Sequence, residues 1–262
     1  MALIQSFEKE GNFLFKYRGQ IPAIIFLLAI PFLYFTDYVW IESCLPADYQ
    51  RFYTLLISLA ILVSLLGFVV RCYTIGTTPR GTSGRNTNKQ VANQLNTKGI
   101  YSIVRHPLYL GNYLMWAGLL IFTMNIPIII IVSLVFWLYY ERIMFAEEAF
   151  LTKQFSDEYT KWSMEVPAFI PAFRKFKQSS IPFSFKTVLR REYTGFFAIV
   201  FAYTLVDYWM QICIHLRFCG NLSVMEWVRP SLFVLLGTLT IMLILRTLKH
   251  RTTVLDRSVN RD

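Results

Sequence analysis

Six stretches of the chain are almost wholly apolar: about Ile21 to Tyr38, Phe52 to Val70, Leu108 to Met124, Ile126 to Phe145, Gly195 to Ile214 and Ser231 to Leu245. Helical runs of about 18 to 20 residues reach about 27 to 30 Å, the thickness of a bilayer's hydrocarbon layer. The pattern therefore predicts an all-α, polytopic integral membrane bundle of about six transmembrane helices. The third and fourth runs are separated only by Asn125-Ile126-Pro127, a tight helix-breaking turn. They form a transmembrane hairpin whose arms run antiparallel, so the residues entering the first arm and leaving the second share one membrane face. Arg105 and His106 are thereby expected beside Glu147 and Glu148.

The polar positions between these runs divide the chain further. Residues 1 to 20 mix charges with Phe7, Phe13, Phe15 and Tyr17 and predict a short interfacial helix, with no cleavage site after the first apolar run. Trp40 to Arg51 reads as a short external loop. In the second run, Gly67, Ser58 and Ser64 read as helix-packing positions. Arg71 to Val104 is rich in Gly, Thr and Asn, a long loop that reads as a wrap for a polar ligand, with a flexible cytoplasmic connector as the alternative. After the hairpin, Leu151, Phe155, Tyr159 and Trp162 recur at helical spacing until Pro167 and Pro171 end the stripe. Three regions result: 1–80 with the interfacial helix and two spans, 81–178 as a catalytic core, and 179–262 as an extension with two further spans.

Composition changes this picture only in orientation. The chain is 55% hydrophobic and 17% aromatic, with a net charge of +10. Of its 26 lysines and arginines, all but Arg51, Arg217 and Arg229 fall on one side of the membrane when the N-terminus is inside. The positive-inside rule then puts both termini, the polar loop and the His106/Glu147 region on the cytoplasmic face and explains the basic charge without nucleic acid; the compactness of the chain points to a bacterial inner membrane. Four cysteines lack the spacing of a zinc or CxxC site, so free thiols are expected, with a disulfide from Cys44 to Cys213 or Cys219 as the alternative. Three histidines exclude a histidine-rich metal centre, and no metal is expected.

The stretch RHPLYLGNY, Arg105 to Tyr113, carries the chemistry. Pro107 suits the first turn of a helix, which puts His106 at its entrance, where free N–H groups and the helix dipole favour anions. Tyr109 and Tyr113 project from one face. Glu147 and Glu148 are costly at a membrane boundary without a cation. An anion site, a carboxylate for a cation and aromatics for a flat ring suit a zwitterionic nucleoside such as S-adenosylmethionine. The same residues also fit an Arg105–Glu147 surface ion pair beneath an aromatic belt.

The segment GIYSIVRHPLYLG, the EE pair one hairpin later and FSDEYTKWSMEVPAFIP resemble the isoprenylcysteine carboxyl methyltransferase and phospholipid methyltransferase superfamily. Its shared pattern is GxYxxxRHPxYxG, then EE, then a tail like F(G)xxYxxYxxxVPxxIP. Ser156 stands where glycine is usual and Trp162 where tyrosine is usual. The match covers Asn86 to Pro171, about a third of the chain. The resemblance implies a membrane-embedded enzyme with a cytoplasmic S-adenosylmethionine pocket and a lipid or lipidated acceptor arriving from the bilayer. It assigns Tyr101, His106, Pro107, Leu108, Tyr109 and Glu147 to the cofactor, and more loosely Asn86, Asn93, Gln94, Leu95 and Asn96. It makes Arg142, one residue off the usual register, the arginine that orients the acceptor. Arg105 joins the catalytic set, as does Glu148, the nearest base for an amine acceptor; a carboxylate or phosphate needs none. The extension beyond Pro171 reads as scaffold, or as a wall for a bulky acceptor.

Two other classes compete. A membrane sterol or enone reductase would use a similar RHPxY segment with a reduced nicotinamide, but it should carry RHPNY and an Arg-Asp, Cys and Lys-Tyr-Gly pattern that does not occur here. A transporter or scaffold predicts polar residues along the spans or an internal repeat. Neither the acceptor nor the oligomeric state is specified by these residues.

Overall fold

The computed structural model describes residues 2–38, 49–79, 90–219 and 228–255. Helix α1 (Leu3–Lys16) turns sharply into α2 (Ile21–Ala29), which tightens into a 3-10 turn at Ile30–Phe35. Then come α3 (Tyr49–Gly76), α4 (Pro107–Phe122), α5 (Ile126–Glu165), α6 (Phe185–Ile214) and α7 (Pro230–Arg251).

All six apolar runs are helical, but they are not six equal spans. Among the described residues, α3, α5, α6 and α7 are long and apolar enough to cross a bilayer. A fifth is reached if α1 and the α2 segment count as one, although they meet at 82°. Pro22 and Pro31 help keep the α2 segment short and tightly wound. Helix α4, with 16 residues, is about 24 Å long, less than the full hydrocarbon thickness. Exposed Leu55, Leu62, Leu66 and Val69 on α3, and Ile130, Ile131, Leu134 and Leu138 on α5, make this an integral membrane protein whose outer surface is solvated by lipid.

Small residues let α3 and α4 lie nearly backbone to backbone. A Cβ on Gly67 would come within 2.5 Å of the Gly111 carbonyl oxygen, and one on Gly111 within 2.6 Å of Arg71 Cγ. Ser64 donates to the Met115 carbonyl at 2.8 Å, and Tyr203 of α6 donates to the Ala60 carbonyl at 2.9 Å. These bonds tie three helices together in a medium that offers the polar groups no water. At the opposite end of the bundle, Asn125 caps α5 by accepting from the Ile128 amide at 2.8 Å and donates to Thr36 at 2.7 Å.

The stripe from Leu151 to Trp162 does not start a new helix. It begins on the end of the membrane helix and crosses a kink at Ser156, whose φ of 45° and ψ of −114° divide α5 into two helices that share its 40 residues. Cys72 and Cys213 are free thiols. Cys44, and with it the disulfide alternative, lies outside the described residues, as does the Cys219 side chain.

Candidate functional site

The hairpin brings the motif and the acidic pair together. His106 caps the entrance of α4, with Pro107 as the first helical residue. Its backbone is held from outside the helix: the Arg105 amide donates to the Pro167 carbonyl at 2.9 Å and the His106 amide to the Ala168 carbonyl at 3.2 Å. The VPAFIPAF tail is thus the clamp on the RHP turn. Proline breaks the helix there and leaves the carbonyls of a non-helical segment to accept from it. Gly99, at φ 64°, starts the turn that leads into the motif, and Trp162 Nε1 donates to the Tyr101 carbonyl at 3.2 Å.

The buried imidazole of His106 stands between the two glutamates. Nε2 lies 2.8 Å from Glu148 Oε1, and Nδ1 lies 3.7 Å from Glu147 Oε2. Arg105 reaches the other Glu148 oxygen at 3.0 Å. Burial alone would lower the His106 pKa, but hydrogen bonding and charge from Glu147 and Glu148 outweigh it and hold the ring above its usual value. The imidazole thus sits between two carboxylates, which favour its protonated form. The Tyr109 ring stacks on the imidazole at 5.7 Å, and burial, then the charge of Glu147, raises the Tyr101 phenol so that it stays a neutral donor.

Two cavities meet at this cluster. The larger, about 680 Å³, runs from Tyr101, Arg105, His106 and Glu147 between α2, α4 and α6 to an apolar end at Phe26, Trp116, Ala202 and Leu205. The smaller, about 60 Å³, lies between the 90–96 segment and α5. Phe15, Tyr101, Arg105, His106 and Glu147 line both.

Most of the residues expected from the motif lie at this junction. Gln94, Leu95 and Asn96 line the smaller cavity and Pro107, Leu108 and Tyr109 the larger. Asn93 lines neither, and Asn86 lies outside the described residues. Glu148 also lines neither cavity, since it is turned to His106 and Arg105. Arg142 is not brought to the site. Its guanidinium lies 3.5 Å from the Phe7 ring centroid and its Nε 3.5 Å from Glu10, so it fastens α1 onto α5.

The larger cavity has a polar wall that the motifs do not announce. Arg71 of α3 makes a two-pronged pair with Glu192 of α6, both bonds 2.8 Å, and donates to Asn112, which donates in turn to Tyr140 at 3.0 Å. Arg18, Arg191 and Glu192 also line it, so the extension after Pro171 is a wall of the cavity. A basic run before an apolar one was the only trace of this in the sequence, and that trace is equally what the positive-inside rule produces.

Known proteins agree with the motif reading. Residues 55–158 match the family model described as phospholipid methyltransferase. The chain is 31% identical over 114 residues to the protein-S-isoprenylcysteine O-methyltransferase of Schizosaccharomyces pombe, covering 41% of this chain and 48% of that one. It is 34% identical over 98 residues to the cobalt-zinc-cadmium resistance protein CzcN of Cupriavidus metallidurans, covering 37% and 43%. The nickel-cobalt-cadmium resistance protein NccN of Alcaligenes xylosoxydans xylosoxydans gives the same identity and coverage. The chain thus spans about half the length of the curated relatives it matches. No solved structure matches it. The resemblance to the isoprenylcysteine and phospholipid methyltransferase superfamily is borne out, on the segment that carries the hairpin.

Proposed function

We propose that this membrane protein is an S-adenosylmethionine-dependent methyltransferase that acts at the cytoplasmic face on a lipidic acceptor. The observation that carries this reading is the junction: a small polar cavity and a large, mostly apolar one share the walls Tyr101, Arg105, His106 and Glu147.

The residues present fit the methyl donor. Gln94 and Asn96 offer amides to polar edges, Phe150 and Trp162 offer faces to a flat base, and Glu147 offers a carboxylate to a positive group. Arg105 Nε is a buried donor that no group among the described residues satisfies, and it suits the donor's carboxylate. The void is smaller than a nucleoside, so binding requires the 90–96 segment to move outward.

When bound, the donor supplies an electrophilic methyl group on a sulfonium. The chain's own contribution is placement: Glu147 holds the positive end, His106 fixes Glu148, which in turn holds Arg105 at the junction, and Phe15 lines it beside them. The acceptor enters sideways from the bilayer through the cavity between α2, α4 and α6.

Calorimetry of the demethylated donor with detergent-purified protein tests the reading. Micromolar binding that is lost in Glu147→Ala supports it. No binding at millimolar ligand by folded protein overturns it and makes a reduced nicotinamide the next ligand to try.

A further inference from the structure

Four polar side chains from four helices form one chain of hydrogen bonds in the wall of the larger cavity: Glu192 of α6, Arg71 of α3, Asn112 of α4 and Tyr140 of α5. Its polarity follows from chemistry alone. A guanidinium only donates, and here two of its nitrogens go to the two oxygens of Glu192 while the third goes to Asn112 at 2.5 Å. The Asn112 atom that faces Arg71 must therefore be its carbonyl oxygen, which leaves its amino group to donate to the Tyr140 hydroxyl at 3.0 Å. That hydroxyl accepts, so its own proton has to leave in another direction. No acceptor takes it among the described residues, and Tyr140, only 1% exposed, lines the cavity. An unused donor this deeply buried is costly until a ligand completes it.

Charge and depth say what that ligand is. Arg71 is neutralised by its two-pronged pair with Glu192, so the chain of bonds ends in an uncharged donor. In a low-dielectric wall such a donor suits an uncharged oxygen, whereas an ionised group set against it would stay largely uncompensated. Asn112 lies six residues beyond His106 on α4, and Tyr140 seven before Glu147 on α5. By helix rise the hydroxyl thus stands about 9 to 10 Å further into the membrane than the junction. The Tyr140 ring packs at 4.9 Å on Tyr109, which stacks on His106. Beyond lies the apolar end at Phe26, Trp116, Ala202 and Leu205. A lipid with its head at the junction and its chain at that end sets the linkage between the two beside Tyr140.

Resting on the methyl-transfer reading, we propose that Tyr140 is a specificity-determining residue: it donates to the carbonyl oxygen of the ester or amide that joins the acceptor's chain to its head. Asn112, Arg71 and Glu192 are positioning residues that aim its proton. Glu192 lies outside residues 55–158, which match the family model, so the extension after Pro171 takes part in choosing the acceptor.

The test is native mass spectrometry of the detergent-purified full chain with two matched pairs of probes. These are palmitoyl lysophosphatidylethanolamine and its O-hexadecyl ether, and palmitoyl lysophosphatidic acid and its O-hexadecyl ether. The members of a pair differ only in the carbonyl. The parent is expected to bind the acyl member of at least one pair about five-fold more tightly than the ether, the size of one neutral hydrogen bond. Tyr140→Phe should remove this preference by weakening the acyl member alone. Asn112→Asp should remove it although the phenol is kept, because a carboxylate there accepts the Tyr140 proton and turns it from the cavity. Equal binding of acyl and ether members by the parent, no binding of any probe, or a preference that persists in Tyr140→Phe overturns the proposal. A preference lost in Tyr140→Phe but kept in Asn112→Asp supports the donation and overturns the positioning role of Asn112. Calorimetry of the demethylated donor on the parent separates the two readings. Donor binding with no acyl preference sinks only the hydrogen bond, whereas acyl preference without donor binding sinks the methyl-transfer reading.

Discussion

His106 Nε2 sits 2.8 Å from Glu148 Oε1, although the two residues are 42 apart in sequence and come from opposite arms of the hairpin. This contact locks the entrance of α4 to the α5 helix and neutralises a carboxylate at the membrane boundary. Replacing His106 by Ala leaves Glu147 without the imidazole and Glu148 with Arg105 as its remaining ion-pair partner, with a loss of about 3 kcal/mol expected. Denaturation midpoints of the two proteins in the same detergent measure it.

The same contact sets a pH dependence. The folded-state pKa of His106 is raised, so the stability it contributes is fully present below its unfolded value, about 6.5, and is lost as pH rises through the folded value. The difference in stability between the parent and His106→Gln should therefore be largest at acid pH and shrink as pH rises above neutrality. Thermal melts from pH 5 to 9 give the profile, and a difference that grows with pH contradicts it.

Much of the architecture was legible because the bilayer imposes a simple rule: apolar runs of fixed length must be helices, and a two-arm hairpin must return to its own face. That rule alone placed His106 beside the acidic pair. It did not place Arg142. Five residues along an α-helix turn the side chain by about 140°, so Arg142 and Glu147 point to different sides of α5 despite their closeness in sequence. Nor could it find the pairing of Arg71 with Glu192, 121 residues apart and from different spans. The third run, in contrast, gave a helix within two residues of its expected bounds of Leu108 to Met124, because the break at Asn125-Ile126-Pro127 is written in the sequence.

Arg142 should accordingly behave as a fastener. It holds Phe7 and Glu10 of α1, while Lys153 pairs with Glu8 at 2.5 Å on the same interface. Arg142→Ala is expected to lower stability by about 1 kcal/mol through the lost cation–π and ion-pair contacts. Binding of the demethylated donor should stay within about two-fold of the parent, a difference of only about 0.4 kcal/mol. A loss of binding as large as that of Glu147→Ala would show that Arg142 belongs to the site.

Gly67 tests the close approach of α3 and α4. Its missing side chain lets the Gly111 carbonyl oxygen come to 2.5 Å from where a Cβ would stand. The obstacle is backbone on the facing helix, which cannot swing aside. Gly67→Val should push the helices apart, disturb Arg71 one turn further along and cost more than about 2 kcal/mol. Loss of the folded fraction in size-exclusion chromatography, together with a shifted melt for Gly67→Ala, is the expected result.

Ser156 occupies a backbone conformation that an L side chain adopts at a cost, φ 45° and ψ −114°, in the middle of α5. The break lies between Glu148, which holds His106, and Tyr159 and Trp162, which line the smaller cavity. The angle between these two parts of the helix therefore sets the width of the cavity against the 90–96 segment. Glycine relieves the side-chain strain without changing the bend, so Ser156→Gly should raise stability by about 1 kcal/mol, visible as a higher melting temperature in detergent. Ser156→Val should do the opposite: a β-branched residue resists this φ, the helix straightens, and Tyr159 and Trp162 swing relative to His106. Weaker binding of the demethylated donor by Ser156→Val, with Ser156→Gly at least as tight as the parent, would tie the break to the shape of the cavity. Equal melting temperatures for all three proteins would show that the strain is not there.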